Sequence, residues 1–143
     1  CSSPPVRDFI IKVYKEGTTL IFNDSKHSEE SGEFEKAYIE IPDGYTVEEL
    51  SYDPYFIKMR NGKNLITFQQ SGVQGLRLDV DTEGTTHENI TINGFDGIYV
   101  YNKNYHLFVW SDGCYAYTLS SAQLSKEELL QMAETVRVGN ESP

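Results

Sequence analysis

The chain is a succession of short apolar stretches separated by polar turns. Several of them are rich in β-branched and aromatic residues and are interpreted as β-strands, namely residues 55–60, 64–70, 76–80, 89–92, 98–101, 105–110 and 114–119. Residues 76–80 alternate cleanly between apolar and polar positions, and residues 34–41 do so in part. Asn or Asp next to Gly recurs between the stretches, and such pairs favour tight turns. Strands joined by short turns pair antiparallel, so the pattern predicts a curved, mainly antiparallel sheet of about seven to eight strands.

The end of the chain follows the helical period instead. Ser125 and Glu128 have the spacing of a capping box, in which each side chain accepts a hydrogen bond from the other residue's backbone amide. Apolar residues then recur every three or four positions from 129 to 136, and Gly139 is a natural stop. We predict a helix over residues 125–138 that packs on one face of the sheet.

The N-terminal part is less uniform. Residues 9–14 have apolar positions with helical spacing, which favours a short helix, but their β-branched residues leave an all-strand alternative open. Residues 1–5 contain two prolines and are interpreted as a tether. We find no internal repeat, so residues 6–143 are expected to form a single α+β domain.

The net charge of the chain excludes some classes of binding partner. The 143 residues contain 12 Lys and Arg against 22 Asp and Glu, a net charge of −10. Such a chain repels phosphate backbones and anionic lipid head groups, so we expect no nucleic-acid binding and membrane contact only through an N-terminal anchor. No apolar run approaches the roughly 20 residues of a membrane span.

The residues indicate no catalytic centre. If Asp112 and Gly113 formed a two-residue turn, His106 would lie opposite Leu119, about five residues of roughly 3.3 Å each from Cys114, so the two could not act as base and nucleophile. Residues 79–84 resemble a calcium loop, but its twelfth position is Ile90 instead of Glu. We expect no enzyme activity, no cofactor and no metal; a hydrolase of cell-wall polymers is the weakest alternative.

Aromatic residues are the main candidates for ligand binding. The same register pairs Trp110 with Tyr115 and Phe108 with Tyr117, which places all four on one face of the sheet. They are either core beneath the C-terminal helix or a partly open platform for an apolar or carbohydrate ligand. The candidate ligand-binding residues are therefore Phe108, Trp110, Tyr115 and Tyr117.

Cys1 is a candidate lipidation site. Mature bacterial lipoproteins begin with a lipidated Cys that is often followed by Ser, as in this chain. Alternatively, the sequence begins just after a membrane segment, or Cys1 has no role. The first two alternatives place the domain outside the cytoplasm, tethered to the cell membrane.

Four segments together resemble a known family. They are Ile41-Pro-Asp-Gly-Tyr45, Ile92-Asn-Gly94, the hairpin from Trp110 to Leu119 and the closing helix at 124–134, and their order carries the resemblance. The chain resembles the bacterial family of domains of unknown function numbered 4367. The resemblance implies the extracytoplasmic part of a membrane-anchored Gram-positive protein, a layout similar to lipoprotein-carrier and sigma-regulator-binding folds, and no defined catalytic residues.

Two functional hypotheses follow. The first is a non-enzymatic extracytoplasmic sensing or interaction domain, whose partner is an unknown protein or an apolar small molecule. The alternative is a lipid or lipoprotein carrier, in which the aromatic face of the sheet would line an open apolar cavity of several hundred Å³.

Overall fold

In a computed structural model of the chain, the described residues are 9–14, 17–22, 34–72, 77–80 and 86–138, and only the backbone is described for 9–14, 17–22 and 77–80. The elements in these residues are β1 (Phe9–Tyr14), β2 (Gly17–Phe22), β3 (Ala37–Tyr38), β4 (Thr46–Tyr52), β5 (Tyr55–Asn61), β6 (Asn64–Gly72), β7 (Arg77–Val80), β8 (Thr86–Ile92), β9 (Phe95–Asn102), β10 (Tyr105–Ser111), β11 (Tyr115–Ser121), α1 (Lys126–Ala133) and β12 (Arg137–Val138). The predicted tether at residues 1–5 lies outside the described residues.

The main sheet has seven strands in the order β4-β5-β6-β11-β10-β9-β8, and every pair in it is antiparallel. This confirms the predicted class of an antiparallel sheet with a C-terminal helix. The hairpin between β8 and β9 turns at Asn93 and Gly94, whose φ values of 55° and 84° are left-handed. Asn and Gly tolerate this conformation best, which is why the pair appears at a two-residue hairpin turn.

The N-terminal residues form a strand, so the favoured short helix was wrong. β1 pairs antiparallel with β2, and β2 pairs with β7, to form a separate three-stranded sheet. Ile10, Ile11 and Val13 are β-branched and lose side-chain freedom in a helix, so the pairing with β2 outweighs the helical spacing.

Helix α1 begins after Ser125, as predicted, but ends at Ala133 instead of the predicted residue 138. The Ser125 hydroxyl accepts from the Glu128 amide at 3.2 Å, and the Glu128 carboxylate accepts from the Ser125 amide at 2.9 Å. The helix ends at Ala133 because the chain then forms β12, which pairs with β3 in a two-stranded sheet. No helix in the described ranges is long and apolar enough to cross a membrane.

The core lies between one face of the main sheet and α1. Leu129, Met132 and Ala133 of the helix are buried against side chains of the sheet. The sheet residues of this cluster are Tyr55, Met59, Ile66, Phe68, Ile92, Tyr99, Phe108, Trp110, Tyr117 and Leu119. Burial of so much apolar surface is the main source of stability, at roughly 25 cal/mol per Å².

Residues 34–41, here called the strap, cover the part of this face that adjoins β5 and β6. Gln70 is almost fully buried; its Oε1 accepts from the Ala37 amide at 2.6 Å and its Nε2 donates to the Glu35 carbonyl at 2.9 Å. The Tyr55 hydroxyl donates to the Ala37 carbonyl at 3.0 Å, and the Tyr115 hydroxyl accepts from the Glu35 amide at 2.8 Å. These side chains supply hydrogen-bond partners for the backbone amides and carbonyls of Glu35 and Ala37.

Candidate functional site

The hairpin that carries the predicted aromatic platform has a longer loop than expected. Ser111 lies opposite Ala116, not Cys114. The Asp112 carboxylate explains the difference: its Oδ1 accepts from the amides of Cys114 and Tyr115, both at 2.8 Å, and so holds a four-residue loop. The predicted pairings are therefore wrong by two residues.

The predicted aromatic face nevertheless exists, because a shift of two residues leaves every side chain on its original side of the sheet. Trp110 lies opposite Tyr117 with ring centroids 5.2 Å apart, and Phe108 lies opposite Leu119. Phe108, Trp110 and Tyr117 are at most 2% exposed and belong to the core. Tyr115 is half-buried and packs edge-to-face against Phe34 of the strap at 5.2 Å.

One end of this face opens to a cleft of about 370 Å³. Its lining includes Asn93, Phe95, Trp110, Asp112, Tyr117 and Arg137. The Tyr117 hydroxyl donates to Asp112 Oδ2 at 2.7 Å, and burial, reinforced by the Asp112 charge, raises the pKa of Tyr117. The hydroxyl therefore stays protonated and serves as a hydrogen-bond donor, not as a base.

The structure separates the residues considered for catalysis. His106 lies opposite Ser121, not Leu119, and its Nδ1 is 2.6 Å from the Tyr99 hydroxyl. Cys114 is disulfide-bonded, so its sulfur is not a nucleophile. Cys1, the candidate lipidation site and the other cysteine of the sequence, lies outside the described residues.

The calcium-like segment is only partly described. Asp79 belongs to strand β7, whereas residues 81–85 lie outside the described residues. Within the part of the chain that the structure describes, His, Cys, Asp and Glu form no group of three or more that could hold a metal ion.

A second surface, which sequence reasoning missed, is apolar and exposed. The exposed large apolar side chains among the described residues all come from residues 34–52. Val47, Leu50 and Tyr52 of β4 lie opposite Met59, Ile57 and Tyr55 of β5, so they project from the core-facing side of the sheet. Within the described ranges β4 is an edge strand, and the side chains of Val47, Leu50 and Tyr52 on this side of it are exposed.

Aromatic packing joins the strap to this edge. Tyr52, which is 62% exposed, stacks on Tyr55 at 6.3 Å, and Phe34 meets Tyr55 edge-on at the same distance. The Lys36 ammonium lies 5.1 Å from the centre of the Tyr52 ring. Phe34, Val47, Leu50 and Tyr52 are called the apolar strip below.

Because of a β-bulge in β4, the residues of the apolar strip do not alternate regularly in the sequence. The register of β4 against β5 shifts between Val47 and Glu49, so Val47 and Leu50 share a face although they are three residues apart. The extra residue, Glu48, accepts a hydrogen bond from the Arg60 guanidinium, which lowers the pKa of the Glu48 carboxyl. A test for strict alternation cannot find such a face.

Comparison with known proteins identifies a family relationship. A family model described as "Domain of unknown function (DUF4367)" matches residues 35–136, well over half of the chain. The match begins in the strap and ends after α1, so it includes both the apolar strip's edge strand and the aromatic hairpin. No curated protein and no solved structure matches the chain.

Proposed function

Since the chain belongs to the DUF4367 family of domains of unknown function, we propose that it is a non-enzymatic interaction domain that binds a partner protein through the apolar strip. We further propose that it acts outside the cytoplasm of a bacterium, as part of a membrane-anchored protein. Its anchor would be a preceding membrane segment, or a lipid on Cys1 if Cys114 pairs with a cysteine of another chain, since a lipidated sulfur cannot form a disulfide.

The apolar strip is the observation that carries the proposal. Exposed apolar residues that occur singly need no explanation, but a contiguous patch is typical of interaction sites. Here the patch continues the core-facing side of the sheet to its edge at β4, where no strand of the described residues pairs with the outer row of backbone N–H and C=O groups. An extended segment of a partner can add to such an edge as a further strand and cover the strip with its side chains.

Two further observations support the remainder of the proposal. The disulfide at Cys114 is a bond that persists in oxidising compartments and is rare in the cytosol, which favours an extracytoplasmic address. The two groups considered for catalysis are used structurally: His106 is hydrogen-bonded to Tyr99, and Cys114 is disulfide-bonded. This favours a binding role over an enzymatic one.

The carrier hypothesis has less support. It needs an open apolar cavity at the aromatic face, but Phe108, Trp110 and Tyr117 are buried and α1 packs over their cluster. The cleft beside Trp110 remains as a site for a small ligand. Lipid binding there would change Trp110 fluorescence when fatty acids are added, whereas the interaction proposal expects no change.

Site-specific photocrosslinking in the native host tests the proposal. A photoreactive phenylalanine analogue would replace Tyr52 in the full-length protein, with Asn89, an exposed residue of the opposite edge strand β8, as the matched control. We expect a discrete protein adduct at position 52 and none at 89, and protease added to protoplasts should digest the adduct.

A second substitution separates specific binding from proximity. Leu50→Lys places a charge in the centre of the strip, and we expect it to reduce the adduct at least tenfold without unfolding the domain, since the side chain is exposed. Equal adducts at positions 52 and 89 would contradict the partner site. An adduct that protease reaches only after lysis would contradict the extracytoplasmic address.

A further inference from the structure

A groove of about 410 Å³ runs between helix α1 and the turn that precedes β4. Its volume lies within the range of small-molecule sites. Ile41, Pro42 and Tyr45 line one wall, and Leu124 and Met132 line the other. Ile41 is 42% exposed, so part of this apolar lining is in contact with solvent.

Both walls are held by hydrogen bonds. The Tyr45 amide donates to the Pro42 carbonyl at 3.1 Å and closes the turn, where Gly44 has a φ of 87° that favours glycine. The Glu40 amide donates to the Thr135 hydroxyl at 3.0 Å, and that hydroxyl donates to the Met132 carbonyl at 2.7 Å. The turn and the helix end are thus connected, and the groove is preformed.

The charged groups that the described residues place along the groove all have one sign. They are Glu40, Asp43 and Glu128, and no Lys or Arg of the described residues lines it. None of the three forms an ion pair with another described residue; the Glu128 carboxylate accepts from the Ser125 amide. The net charge of −10 adds to the negative potential there.

We propose that this groove binds a small organic cation with an apolar body, such as an aryl-alkyl amine. The apolar part contacts Ile41 and Met132, and the ammonium lies among the carboxylates of Glu40, Asp43 and Glu128. Charge complementarity selects this class: an anion would meet three carboxylates, and a neutral ligand would gain only the apolar contact. The site does not depend on the apolar strip or on the partner proposed for it.

Amide NMR titration with 4-phenylbutylamine tests the proposal, with 4-phenylbutanol and 4-phenylbutyrate as neutral and anionic analogues. We expect shifts confined to residues 40–45 and 124–135. The amine should bind roughly two- to tenfold more tightly than the alcohol, because exposed ion pairs contribute little each, and the difference should shrink at high salt. The butyrate should bind most weakly.

Two double variants with the same change of charge provide the control. Glu40→Gln with Asp43→Asn should bring the affinity for the amine most of the way down to that for the alcohol, whereas Glu127→Gln with Glu134→Gln, outside the groove lining, should leave both affinities unchanged. Ile41→Ser should weaken the amine and the alcohol alike. Equal affinity of all three probes, shifts elsewhere, or equal effects of the two double variants would overturn the proposal. None of these results bears on the crosslink at Tyr52.

Discussion

Gly97 shows how strongly a single residue depends on its neighbours across the sheet. It follows Asp96 in a stretch whose composition indicates a turn, yet it lies inside β9 opposite Trp110. A Cβ at this position would lie 2.7 Å from the Val109 carbonyl oxygen and 2.8 Å from Trp110 Cβ. Glycine is therefore required by the close approach of Trp110, and the turn itself is made at Asn93 and Gly94.

Gly97→Ala should lower the free energy of unfolding by about 1–3 kcal/mol, because the added methyl group must displace backbone or the Trp110 side chain in a filled core. Urea denaturation measures the change. Gly72→Ala is the matched control: a Cβ added to this strand glycine would meet no atom within 4 Å, and its substitution should change stability by no more than about 0.5 kcal/mol. Equal effects of the two variants would contradict the close packing at Gly97.

The strap is the element that sequence patterns describe least well. Residues 34–41 show partial alternation, and Ala37 and Ile39 are indeed buried. However, only two residues of the segment, Ala37 and Tyr38, form a strand, and the partner is β12 instead of the main sheet. Gln70 supplies hydrogen bonds to the strap that a neighbouring strand would otherwise provide. The residues around Gln70 in the sequence do not indicate this role, because the strap is distant in the chain.

Gln70→Leu should lower the free energy of unfolding by roughly 2–4 kcal/mol, because the Ala37 amide and the Glu35 carbonyl lose their partners. Hydrogen exchange at the Ala37 amide should accelerate more than exchange at core amides such as Leu119. Gln69→Leu, on the opposite face of the same strand and half-buried, is the control and should have little effect. Unchanged exchange at Ala37 in Gln70→Leu would show that the strap is held by other contacts.

At the scale of the whole molecule, the core contains the tyrosines Tyr55, Tyr99 and Tyr117, and buried tyrosine couples stability to alkaline pH. Burial, followed by the nearby Tyr101, Glu88 and Glu127, raises the pKa of Tyr99 from 10.0 to about 12. The unfolded chain loses this proton near pH 10, whereas the folded protein keeps it to about pH 12. The neutral hydroxyl therefore stabilises the fold fully below pH 10, and this contribution is lost as the pH rises from 10 to 12.

We expect the urea midpoint to decline as the pH rises above about 10, and tyrosinate absorbance to show Tyr99 titrating late in the folded protein. Tyr99→Phe should make the decline shallower, since it removes one of the shifted groups. Tyr38→Phe, at a 62% exposed position, should leave the slope unchanged. A slope that is the same in all three proteins would contradict the assignment to Tyr99.

Much of the fold could be predicted because its signals are local. Short stretches of β-forming residues between turns identified most strands of the main sheet, Ser125 and Glu128 identified the start of α1, and the four aromatic residues were placed on one face. The sequence left open whether these four aromatic residues are core or an exposed platform, because their exposure depends on which segment packs on that face of the sheet. Neither the apolar strip nor the groove could be predicted, since a bulge hides the first and the second joins segments about 90 residues apart.

The sequence by itself determined the family, through the order of its motifs. It also determined the antiparallel class and the shared side of the sheet for Phe108, Trp110, Tyr115 and Tyr117, because alternation along a strand and short turns act between residues that are close in the chain. The tertiary structure decided the register of the β10–β11 hairpin, through Asp112, and the early end of α1, through the pairing of β12 with β3. It also decided that Trp110 is core and Tyr52 is surface. Those outcomes depend on contacts between segments that are distant in the chain, and a pattern of neighbouring residues gives no information about the energies of such contacts.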